Sequence, residues 1–135
     1  MNRSREHGRL LLEKGQEDLY ILERIVDDPQ APDAGVGFHA QQAVEKFLKA
    51  ALSSRAVDYT RTHDIKRLLT LLRDNGLPLP PEASRLEALT PYGARLRYER
   101  AASDAEVQGT LDRAWALACA RQTEEWAEAL LREQP

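Results

Sequence analysis

One stretch limits what this chain can fold into more than any other. From Phe38 to Leu72 it reads FHAQQAVEKFLKAALSSRAVDYTRTHDIKRLLTLL. Phe38, Ala40, Ala43, Val44, Phe47, Leu48, Ala51 and Leu52 recur at intervals of three and four, the spacing of one apolar helix face. Gln41, Gln42, Glu45, Lys46 and Lys49 fall mostly off that face. A polar connection follows, and Thr62-His63-Asp64 opens a second amphipathic helix, with Ile65, Leu68, Leu69 and Leu72 on its apolar side. Thr62 or Asp64 can cap that helix by accepting from the free backbone N–H groups of its first turn.

The rest of the chain carries the same period. Leu12, Leu19, Leu22 and Val26 predict a first helix from about Ser4 to Asp27, stopped by the prolines at 29 and 32. The second helix is expected from about residues 34–36 to Ser54, and the third from Asp64 to about Asp74. Asn75-Gly76 ends the third, because both residues tolerate the left-handed conformation. A stiff proline-rich connector, Leu77 to Pro81, leads to a short helix from Glu82, with Leu86 and Leu89 inward and a break or restart at Thr90-Pro91. Ser103-x-x-Glu106 forms a capping box for the last helix, which is marked by Val107, Leu111, Ala114, Trp115, Ala118, Cys119, Trp126 and Leu130. No stretch alternates with period two. The expectation is a single all-α domain over 1–135: an antiparallel up-and-down bundle of four main helices plus a short one.

Composition narrows the chemistry. A single cysteine, Cys119, excludes an intrachain disulfide and a cysteine zinc site. The three histidines, His7, His39 and His63, have no helical metal-ligand spacing. There is no G-x-S-x-G turn and no glycine-rich phosphate loop. No apolar run reaches the length of a membrane span, and the charged N-terminus is not a signal peptide, so a cytoplasmic protein is expected. The net charge is −3, but residues 49–100 hold ten Lys/Arg against six Asp/Glu, a local +4 in an otherwise acidic chain. That basic middle suits either solvated helix faces or a phosphate-facing side.

The runs HAQQAVEKFLKA (39–50), THDI (62–65) and LTPYGARLRYE (89–99) together resemble the HEPN domain family, and the likeness covers nearly the whole chain. Many members are metal-independent ribonucleases that pair an arginine with a histidine in an Arg-x(4–6)-His motif across a homodimer. Histidine supplies a proton shuttle near neutral pH and arginine a cation for the phosphate. Arg95, Arg97 and Arg100 are candidate arginines, but no histidine follows: residues 101–109 read AASDAEVQG. Arg3 to His7 and Arg55 to His63 also miss the spacing.

The resemblance therefore points to the non-catalytic branch, small HEPN proteins that partner a separate minimal nucleotidyltransferase chain, in the manner of a toxin–antitoxin pair. It implies a homodimeric module that binds nucleotide, RNA or that partner. Arg95, Arg97, Tyr98 and Arg100, with His63 and Arg61, are the ligand or phosphate-binding candidates; no catalytic or metal-binding residue and no cofactor are implied. Two alternatives remain open. One is a ribonuclease with a displaced site, using His63 or His39 with Arg61 or Arg95. The other is a structural dimeric adaptor. A dimer is also expected because Trp115, Trp126 and the first helix carry wide apolar stripes.

Overall fold

The computed structural model describes residues 2–93 and 110–133. The described chain forms α1 (Asn2–Ile25), α2 (Asp33–Ser54), α3 (Ile65–Asp74), α4 (Ala83–Leu86), a 3-10 turn (Glu87–Tyr92) and α5 (Arg113–Arg132). Among the described residues there is no strand. None of these helices is long and apolar enough to cross a membrane.

The apolar stripe read from α2 is the centre of the core. Val44, Phe47, Leu48, Ala51 and Leu52 are fully buried, and α1, α3, α5 and the 3-10 turn all pack against this helix. Relative directions follow from the contacts. Gly8 abuts Ala50 and Ser54, and Gly15 abuts the Phe47 ring, so α1 runs antiparallel to α2. Gln16 meets Glu128 and Glu23 meets Arg121, so α1 is also antiparallel to α5. Asp33 meets Arg113 at one end and Arg55 reaches the Leu130 carbonyl at the other, so α2 and α5 run parallel.

Helix ends follow local chemistry. The Asp64 carboxylate accepts from the Lys66 N–H at 3.0 Å and is the cap of α3. Thr62 instead accepts from the Asp64 N–H at 3.0 Å, which braces the approach to the helix. Of the two sequence candidates, Asp64 is thus the cap, because its carboxylate reaches an N–H of the helix's first turn. At the far end Gly76 adopts φ 71°, and the Leu77 N–H returns to the Leu72 carbonyl at 2.9 Å. At the end of α2 the left-handed position is filled by Ala56, φ 57°, with the Val57 N–H bonded to the Leu52 carbonyl at 2.9 Å.

Between α4 and the 3-10 turn the backbone tightens rather than breaks, and the turn runs on through Pro91. Leu86 and Leu89 point inward as their spacing predicts. The Tyr92 ring packs against Gly37 of α2, where any β-carbon would overlap it.

The last helix starts at Arg113, with the Asp112 carboxylate as its cap, accepting from the Trp115 N–H at 3.0 Å; Leu111, expected inside this helix, precedes it in non-helical backbone. The capping box expected at Ser103 and Glu106 lies outside the described residues. Arg113 ties α5 to the loop between α1 and α2. It donates to Asp33 and to the carbonyls of Val26, Asp28 and Ala31. Cys119 is buried, and burial pushes its thiol up to about 11, so it stays a neutral packing group at neutral pH. Trp115 and Trp126 are half-buried against the core rather than exposed. Among the described residues, the large apolar side chains left at the surface are Leu10, Tyr20, Ile21 and Leu79.

Candidate functional site

The polar side of α2 does not simply face water. Gln41 is fully buried and Glu45 is 3% exposed, because α3 and the chain before it fold over that flank. A buried carboxylate is costly unless it is well partnered. Glu45 has three partners. The Gln41 amide donates at 2.8 Å, the Lys49 ammonium at 2.8 Å and His63 Nδ1 at 3.0 Å. Gln41 also donates to the His63 carbonyl at 3.2 Å and accepts from Gln42 at 2.7 Å. The spacing of Gln41, Glu45 and Lys49 explains the alignment, since residues four apart stack on one helix face.

His63 therefore joins the connector (residues 55–64) to the central helix through its Nδ1 atom, while its ring stays 61% exposed. Lys49 continues the track. Its ammonium lies 5.6 Å from the centre of the Tyr59 ring, and the Tyr59 hydroxyl is 3.3 Å from His7 Nε2 on α1. Burial pushes the Tyr59 phenol up, and the Glu45 charge adds to this. Beside this pair lies a cleft of about 400 Å³ between the start of α1, the end of α2 and the connector.

A second cluster of the same type joins α1 to α2. Asp18, 7% exposed, holds His39 Nδ1 at 3.0 Å on one oxygen and the Lys46 ammonium on the other. Burial pushes the Asp18 carboxyl up, but the hydrogen bonds from His39 and Lys46 outweigh it and hold the carboxyl below its usual range. In both clusters a carboxylate fixes Nδ1 of an imidazole and so sets the orientation of the ring.

Of the sequence candidates, the structure places His63 and Arg61 on one connector, with Arg61 exposed. Lys66 and Arg67 follow on the exposed side of α3, so three basic side chains and one imidazole lie within residues 61–67, with the Asp64 carboxylate among them. Arg95, Arg97, Tyr98 and Arg100 lie outside the described residues. Sequence reasoning missed Glu45, Asp18, Tyr59 and His7 as site members. The i, i+4 spacing of Gln41, Glu45 and Lys49 was visible, but the burial that turns it into a network was not. No group of three or more potential metal ligands occurs among the described residues.

Comparison with known proteins gives one positive result: the family model for the HEPN domain matches residues 9–133. No curated protein and no solved structure matches the chain. The matched span takes in both carboxylate clusters, α3 and the whole of α5. By that match, over most of its length, the chain belongs to the HEPN domain family.

Proposed function

We infer that this chain is a HEPN-type binding module for phosphate-bearing ligands, nucleotide or RNA, working through its basic middle region. The observation that carries the reading is the exposed run Arg61, His63, Lys66 and Arg67, with the His63 imidazole held from behind by the buried Glu45 carboxylate. Arginine forks and a positioned imidazole match phosphate oxygens. The Asp64 carboxylate within that run is engaged in capping α3. Arg95, Arg97, Tyr98 and Arg100 belong to the same basic region of the sequence and are proposed as further phosphate contacts. The same surface suits a separate minimal nucleotidyltransferase chain as partner, in a toxin–antitoxin-like pair inside the cytoplasm.

The test is binding of a fluorescent RNA pool followed by anisotropy across a salt series. Binding should weaken as salt rises, and Arg61→Ala and Arg67→Ala should each reduce the logarithmic salt slope by about one. Binding without any salt slope, or a slope untouched in both variants, sinks the reading.

A displaced ribonuclease is the second reading, favoured by the two carboxylate-held histidines. It requires RNA cleavage in chelator that disappears in His39→Ala or His63→Ala. The module is proposed as an up-and-down bundle, supported by α1 running antiparallel to both α2 and α5. It is also proposed as a homodimer, and a purely structural dimer is the reading left if nothing binds. Support for the dimer comes from the outer face of α1, where Leu10 and Ile21 are 49% and 40% exposed. An antiparallel pairing of two copies that sets Leu10 against Ile21 also sets Lys14 against Glu17, a self-complementary register.

A further inference from the structure

The cleft between α1 and the end of α2 is a built polar site distinct from the α3 surface. Three separate segments wall it: Arg3, Ser4 and His7 from α1, Ser53 from the last turn of α2, and Asp58 and Tyr59 from the connector. Its volume of about 400 Å³ falls in the range of small-molecule sites, roughly 300–1,000 Å³. Arg3 and His7 are four residues apart, so they share one side of α1.

Each wall has a chemical preference. Arg3 and His7 are exposed nitrogen donors suited to a dianionic phosphate. The Ser53 hydroxyl is spent on the Ser4 carbonyl at 3.2 Å and serves to fix the two helices. Asp58 is exposed and accepts hydrogen bonds only, which suits a pair of hydroxyl donors and not a second phosphate. Tyr59 is half-buried and held at both ends, by Lys49 against its ring and by His7 at its hydroxyl, so it offers a fixed aromatic surface. A guanidinium with an imidazole beside it, an acceptor and an aromatic plane within one small cleft correspond to the phosphate, sugar and base of one nucleotide.

We propose that this cleft binds a 5′-phosphoryl nucleoside, with the phosphate on Arg3 and His7, the ribose hydroxyls on Asp58 and the base against Tyr59. The proposal rests on the reading of the chain as a nucleotide- or RNA-binding module and assigns it a terminal-phosphate pocket. The ligand has two sources, a free mononucleotide or the 5′-phosphorylated end of an RNA strand.

The experiment titrates adenosine monophosphate, adenosine, and a short RNA with either a 5′-phosphate or a 5′-hydroxyl into the full chain by calorimetry. Wild type, Arg3→Ala, His7→Ala, Asp58→Asn and the α3-surface variant Arg67→Ala are compared, with melting curves to establish that each is folded. The expected result is that the phosphorylated ligand binds better than its unphosphorylated counterpart. Arg3→Ala should weaken it roughly ten- to hundredfold, the loss of one charge-assisted hydrogen bond. Arg67→Ala reports on the α3 surface: a loss of monophosphate affinity there as large as that of Arg3→Ala would place the ligand on α3 and overturn the cleft. Asp58→Asn should reduce the preference for ribose over 2′-deoxyribose monophosphate.

Binding of the phosphorylated RNA alone, sensitive to Arg3→Ala, identifies the strand end as the source and supports the pocket. Indifference to the 5′-phosphate, or to both Arg3→Ala and His7→Ala, overturns the pocket. If RNA binding persists in that case and responds to Arg67→Ala, the broader function survives. If neither nucleotide nor RNA binds wild type, both readings fall.

Discussion

Replacing Glu45 by alanine should be among the most damaging single polar substitutions in this protein. The carboxylate is buried, and Gln41, Lys49 and His63 all donate to it at 3.0 Å or less. Truncation leaves the Lys49 ammonium, only 14% exposed, without its buried counter-charge. Gln41 retains the His63 carbonyl as an acceptor, so its amide is only partly orphaned. The dominant loss is therefore the broken ion pair, for which removal of one partner costs about 3–5 kcal/mol. In a domain of this size 1 kcal/mol moves the melting temperature by roughly 4 °C, so the expected fall is about 12–20 °C.

Lys14 offers the contrast. Its pair with Glu17 is 3.8 Å long and more than half exposed on both sides, and Lys14→Ala should have little measurable effect. Thermal unfolding followed by circular dichroism reads both variants, and a double-mutant cycle of Glu45→Ala with Lys49→Met isolates the pair. A Glu45→Ala shift below about 3 °C, or a coupling near zero, refutes the claim that this network holds the connector on α2.

Three further outcomes follow from particular contacts. Gly37→Ala places a β-carbon into the Tyr92 ring and should cost about 1–3 kcal/mol or more in urea unfolding, unless the 3-10 turn moves away. Asp64→Ala removes the cap of α3 and should cost about 0.5–2 kcal/mol, with Thr62→Ala costing less; the reverse order in denaturation midpoints would make Thr62 the functional cap. The lowered Asp18 carboxyl stabilises the fold above about pH 4, and that contribution is lost as pH falls through the depressed folded value. Stability measured from pH 7 to pH 3 should therefore fall less steeply in Asp18→Asn than in wild type, and parallel curves would show that the Asp18 pairing is not linked to folding.

The sequence carries the parts of this fold that depend on near neighbours. The apolar period of residues 38–52 marks α2, and Asn75-Gly76 marks the end of α3, because both signals act within one or two turns. Three features escape it for a common reason. Asp18 and His39 are 21 residues apart, Glu45 and His63 are 18 apart, and His7 and Tyr59 are 52 apart, so each partnership exists only after helices pack. Burial of Gln41 and Glu45 escapes it too, since a two-faced helix pattern reads the same whether its polar flank meets water or a covering segment. The tryptophans show the same limit: the aromatic marks on α5 give no sign in the sequence that both rings pack partly against this chain's own core. On α1, the other helix of the stripe argument, Leu10, Tyr20 and Ile21 do face outward.

The two carboxylate clusters have a structural logic that bears on function. Buried ion pairs add little net stability over a packed apolar alternative, but a broken one is heavily penalised. They therefore select one arrangement against its competitors more than they strengthen it. Asp18 engages both His39 and Lys46, which lie seven residues apart on α2, so a one-turn slide of α1 strands at least one charge. Glu45 acts on the connector in the same way, because a shift of residues 55–64 would separate it from His63. The apolar stripe alone lacks this discrimination, since leucines and alanines repeat at nearly equivalent positions along the helix. The register that the carboxylates enforce is also what brings His7 to Tyr59 and presents His63 beside Arg61. In this fold the buried charges position the exposed ones.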